Sequence, residues 1–163
     1  MAEEIIKNRL ENILINLKEN KFSLLDAIKF IEYGRIIENL PEDDPLRRKY
    51  YEIKEEYERK LLYPVIKMGS YGYYIIKYLD EKSFISISEL ENLIKNKGFL
   101  DIVPMKYSIR STIRILASYN LCRIERGILG KFKGISITEE GRIAALLVDE
   151  FRRYRSNQEK IYI

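Results

Sequence analysis

Apolar residues at Ile6, Leu10, Ile13 and Leu17 recur at intervals of four, three and four, which predicts an amphipathic helix early in the chain. Asn20-Lys21-Phe22-Ser23 breaks that stripe, and Ser23, with Asp26 at the capping-box position, opens a second helix reaching about Asn39. Its apolar positions are Leu24, Ile28, Phe30 and Ile31. PEDDP (Pro41 to Pro45) then forces a loop, because each proline disfavours a helical residue before it. A third helix follows with Leu46, Tyr50, Ile53, Tyr57 and Leu61 on one face. Pro64 marks a boundary or kink, and 65–81 reads as one further helix. Ile66, Gly69, Gly72/Tyr73, Ile76 and Leu79 share one of its sides, the glycines permitting close helix contact.

From Phe84 the elements shorten. Phe84-Ile85 is extended, and Ser86 with Glu89 forms a capping box for a helix through about Lys95, with Leu90, Leu93 and Ile94 inward. Asn96-Lys97-Gly98 ends it. After FLDIVP, a helix over 106–119 places Ile109, Ile113, Leu116 and Ala117 on one face. Lys106, Tyr107, Arg110, Ser111, Arg114 and Ser118 lie on the other. Asn120 stops it. Leu121 to Glu125 then alternates as a strand does, three glycines (Gly127, Gly130, Gly134) punctuate a basic stretch, and a strand over 134–137 leads into a helix over 139–155.

Charge changes the picture. The net charge of +4 is unevenly spread: residues 1–63 carry 12 Lys/Arg against 14 Asp/Glu, whereas 106–134 carry seven cations against Glu125 alone. Those cations are Lys106, Arg110, Arg114, Arg123, Arg126, Lys131 and Lys133, so the excess falls on one helix and the glycine-punctuated hairpin after it.

The order of helix, short strand, two helices, basic hairpin and closing helix resembles the winged-helix variant of the helix-turn-helix fold, as in MarR-like and related archaeal regulators. The resemblance covers about 64–155 and rests on "LASYNLCRIE", the hairpin, and "ISITEEGRIAALLV". The turn over 97–105 is longer than the tight turn of simple helix-turn-helix proteins. The expected fold is mainly α with a small β-hairpin wing: a helical arm over 1–63 and a winged-helix domain over 64–163. The resemblance implies a double-stranded-DNA-binding regulator. Its third helix would enter the major groove through Lys106, Tyr107, Arg110, Ser111 and Arg114, and its wing would touch the backbone through Arg126, Lys131 and Lys133. A homodimer is expected from the surplus apolar stripes of 1–63 and of Ile143, Leu146, Leu147 and Phe151. The alternative is a winged-helix subunit of a multiprotein assembly, with a protein partner bound through 1–63.

Other chemistry is thinly represented. With no histidine and one cysteine, His-based acid–base catalysis, Ser-His triads and Cys/His metal sites are excluded, and no phosphate or dinucleotide fingerprint occurs. Neither catalysis nor a cofactor or metal is expected. GSYG over 69–72 lacks the basic residues of an RNA-clamping loop. Tyr71, Tyr73, Tyr74 and Tyr78 read as core with outward hydroxyls ahead of a base-stacking platform, PEDDP as a solvated turn ahead of a metal site, and Cys122 as core. No apolar run approaches a membrane span, and the single cysteine favours a reducing, cytoplasmic setting. Abundant Lys and Glu with a single Gln resembles the usage of hyperthermophile proteins.

Overall fold

A computed structural model of the chain describes residues 2–96 and 109–161. These residues are mainly helical and contain one three-stranded antiparallel sheet. Two compact units result: Met1–Lys60 with Asp149–Ile163, and Leu61–Val148.

The first unit is built on α1 (Ala2–Lys18), α2 (Leu24–Ile37) and α3 (Pro45–Tyr57). Leu10, Ile13 and Leu17 of the α1 stripe are buried together with Leu14, whereas Ile6 is half-buried. Ser23 Oγ accepts from the Asp26 N–H at 3.1 Å, satisfying an amide of the first turn of α2 that no helical carbonyl can reach. Asp44 caps α3 in the same way, accepting from Leu46 N–H at 2.9 Å, so this acid of PEDDP is spent on a helix end.

Only part of the apolar set of α2 turns inward. Ala27, Phe30, Tyr33 and Ile37 are inside, whereas Leu24 and Ile28 stand outward. Aromatic packing is the cause. Phe30 stacks on Tyr50 with ring centroids 4.5 Å apart, and meets Tyr57 at 5.2 Å and Phe151 at 6.4 Å. Burying one large ring against three others outweighs burying two aliphatic side chains, and the helix is rotated accordingly.

A π-helical turn (Glu58–Leu62) carries the chain from the first unit into the second, where the short α4 (Tyr63–Lys67) follows and α5 spans Ser70–Lys82. The expectation of one helix over 65–81 is therefore corrected. Gly69 takes φ 62°, a left-handed conformation that no α-helix continues through. Gly72 does permit close contact: a Cβ there would lie 2.5 Å from the Val65 carbonyl oxygen of α4.

Strand β1 (Phe84–Ser86) follows, then α6 (Ile87–Asn96), whose first turn is held by the Glu89 N–H donating to Ser86 Oγ at 3.2 Å. The remaining elements are α7 (Ile109–Ser118), β2 (Cys122–Arg126), β3 (Phe132–Ile137) and α8 (Glu139–Ile161). The strand order is β1-β3-β2, so the hairpin gains a third strand through Phe84–Ser86. Ile85 and Ile124 both pair with Ile135, and Ile85, Ile135, Leu116, Ile76, Leu79 and Ile143 lie in one core.

Thr138 joins three elements. Its hydroxyl donates to the Asn120 carbonyl, just past α7, at 2.5 Å, and accepts from the Gly141 N–H in the first turn of α8 at 3.0 Å. Gly141 has no room for a side chain, since a Cβ would lie 2.1 Å from the Leu121 carbonyl oxygen. The Thr-Glu-Glu-Gly step thus fixes how β3 hands over to α8.

Candidate nucleic-acid interface

Alternate burial along α7 sets the direction of its arginines. Thr112, Ile113 and Leu116 are buried, which leaves Arg110 and Arg114, one turn apart, exposed on the opposite side. Strand β2 has its own alternation, and Cys122, Ile124 and Arg126 share the face turned towards α7. The two elements therefore bring Arg110, Arg114 and Arg126 to one cleft of about 660 Å³. Ile87, Ile113, Ile124 and Phe132 give it an apolar lining, and Glu91 of α6 adds a carboxylate.

Among the described residues, no ion pair engages Arg110, Arg114 or Arg126. The carboxylate nearest in sequence, Glu125, accepts from Ser136 Oγ at 2.8 Å on the other face of the sheet. Arg126 also donates to the Gly130 carbonyl at 3.2 Å, which fixes the guanidinium at the base of the hairpin turn. Three guanidiniums spaced along a partly apolar cleft suit an extended anion with flat apolar edges.

The other expected site residues are not gathered there. Ser111 is half-buried and does not line the cleft among the described residues. Lys131 is exposed at the end of the turn. The β2–β3 register slips between Glu125 and Arg126, leaving Lys133 as an extra residue in β3. Its Nζ lies 6.0 Å from the Phe84 ring centroid, away from the arginine cleft. Lys106 and Tyr107 lie outside the described residues, as do the 97–105 turn and the side chain of Tyr71.

Tyr73 and Tyr74 meet edge to face at 5.3 Å, and the Tyr78 hydroxyl donates to Glu89 at 3.3 Å, so these rings do not form a flat stack. Cys122 is buried, and burial pushes its thiol up to about 12. Sequence reasoning missed Glu91, Phe132 and Ile124 as cleft residues, and Ile128 and Leu129 as a fully exposed tip. For the tip a signal existed: two aliphatic residues bracketed by Gly127 and Gly130 have no strand or helix to bury them. Among the described residues no helix is long and apolar enough to cross a membrane, and no acidic, histidine or cysteine cluster could hold a metal.

Comparison with protein-family models, with curated proteins and with solved structures finds no match to this chain.

Proposed function

We propose that the protein is a sequence-preferring double-stranded-DNA-binding protein, a transcriptional regulator built on a winged helix-turn-helix. Helix α7 (Ile109–Ser118) enters the major groove and the hairpin over 126–134 lies along the backbone. The observation that carries this reading is the cleft in which Arg110, Arg114 and Arg126 converge with no ion pair to a described carboxylate. Arginines one turn apart can each bind guanine O6 and N7, and Arg126 suits a phosphate oxygen. Glu91, which also lines the cleft, would repel phosphate but accept from a cytosine amino group, which favours base edges over backbone at that point. The element order and the β1-β3-β2 sheet support the winged-helix resemblance. The reading includes no catalytic step and no cofactor, and it assigns the protein to the cytoplasm as a homodimer.

One observation favours the second reading, a protein-interaction subunit. Leu24, Leu25, Ile28 and Ile36 leave an apolar outer face on α2 in the unit that includes residues 1–60. The two readings diverge in salt titrations of the whole protein on duplex DNA. Wild type should bind with a steep salt dependence. Arg114→Ala should lose about 1–3 kcal/mol on a preferred site and relax sequence preference. Lys131→Ala should weaken binding to all duplexes alike and lower the salt slope by about one unit. If both variants bind like wild type at low salt, the cleft is not a DNA site and the interaction reading takes its place.

A further inference from the structure

The hairpin turn presents an arrangement that the DNA reading does not require. Ile128 is 105% and Leu129 83% exposed, more than any other large apolar side chain among the described residues. Neither has a structural task. The loop is closed by its backbone: Gly127 N–H donates to the Lys131 carbonyl at 2.7 Å, and Gly130 N–H to the Gly127 carbonyl at 3.0 Å. Gly130, at φ 71°, supplies the left-handed residue that such a short loop needs. Arg126 holds the Gly130 carbonyl from one side. Any polar pair at 128 and 129 would close this loop equally well and would not place aliphatic surface in water.

Charge narrows the partner. Arg126 and Lys131, on either side of the closed turn, form a cationic collar behind the tip, and no carboxylate occurs from 126 to 138. An apolar point backed by cations complements a polyanion with an apolar interior. Duplex DNA is one: stacked bases lie between two phosphate rails, and Ile and Leu side chains can be driven between base steps from the minor groove.

We propose that Ile128 and Leu129 form a wedge that enters the minor groove and unstacks a base step while the collar holds the flanking phosphates; this rests on the DNA-binding reading above. The preformed turn loses little conformational freedom on insertion, so most of the apolar contact is available to offset unstacking. The wedge opens the step and bends the duplex towards the major groove. Pyrimidine–purine steps such as TA unstack most easily, so the tip adds a preference for them at a position that α7 does not read.

The test uses the full chain, wild type and the Ile128→Ser/Leu129→Ser variant. The probes are short duplexes with one central TA step or a GC step, carrying a fluorescent adenine analogue at the step and a donor–acceptor pair at the ends. Wild type should raise the analogue fluorescence and the energy transfer on the TA duplex. The variant should lose both signals and about tenfold in affinity while keeping the wild-type salt slope. Lys131→Ala should keep the fluorescence signal and lower the slope. If wild type binds duplex with no fluorescence change, or the double variant keeps the full signal, the wedge is overturned and the DNA reading survives. If wild type binds no duplex at any salt, both fail. Tip-dependent binding to phosphatidylserine vesicles without a signal on DNA would overturn the wedge and make the tip a membrane contact.

Discussion

Thr138 and Cys122 each tie a local chemical property to the stability of the hairpin. The Thr138 hydroxyl serves at once as donor to the Asn120 carbonyl and as cap acceptor for Gly141, so Thr138→Ala removes both bonds and leaves a buried helix amide without its cap. A loss of about 1–2 kcal/mol in urea unfolding is expected. Cys122 acts through its proton. Its thiol stays protonated in the folded chain up to about 12, against 9.0 for the free group. The unfolded chain releases that proton first, so the contribution is complete below pH 9 and falls as pH rises towards 12. The slope is about −1.4 kcal/mol per pH unit for one proton. Tyr57 is raised by burial and then by Asp26, and acts in the same direction above its ordinary value of 10.0. Cys122→Ala should flatten the alkaline stability profile by about one proton. A thiol reagent at neutral pH should label wild type only at the rate of unfolding.

At the scale of elements, what could be read from sequence was what is decided locally. Caps at Ser23 and Ser86 depend only on a serine hydroxyl and the backbone amide three residues on, and both bonds are present. The α1 stripe needed only its own period. The inner face of α2 was hidden because Tyr50, Tyr57 and Phe151, all distant in sequence, select it through Phe30. The break at Gly69 was hidden because a glycine in a helix-like pattern can serve close packing, as Gly72 does, or a reversed φ. In the candidate site the cations of α7 were visible as an unbroken run. The separation of Lys133 from Arg126 was not, because it depends on a register slip between two strands. The tight β3–α8 junction gives a test at this scale. Gly141→Ala would force a Cβ against backbone at 2.1 Å from Leu121 O, where no side chain can yield. It should destabilise by about 2–3 kcal/mol, whereas Gly127→Ala, with its nearest atom at 3.7 Å, should change stability far less.

For the whole molecule the question is what the first unit adds to a basic site carried by the second. The stripes that motivated a homodimer are largely consumed within the chain: Leu10, Ile13, Leu17, Ile53, Tyr57, Ile143, Leu147 and Phe151 are all buried. The outer face of α2 remains, and under the homodimer reading it would pair with the same face of a second chain. In an antiparallel pair of α2 helices centred between Phe30 and Ile31, Leu25 lies opposite the partner's Ile36, and Lys29 opposite the partner's Glu32. Lys29 and Glu32 now bond along one helix at 3.3 Å, an exposed contact that is readily exchanged for the intermolecular one. Two α7 helices in one particle would engage a two-fold site together, and the second contact would form at high effective concentration. Sedimentation equilibrium at micromolar protein should therefore give twice the 19.4 kDa chain mass. Leu25→Glu/Ile36→Glu should return it to one chain with an unchanged circular-dichroism spectrum, because both side chains are exposed on the single chain. That variant should bind a two-fold duplex at least about a hundredfold more weakly, but a half-site duplex as wild type does. A single chain mass for wild type would end the homodimer and leave the α2 face to a different protein.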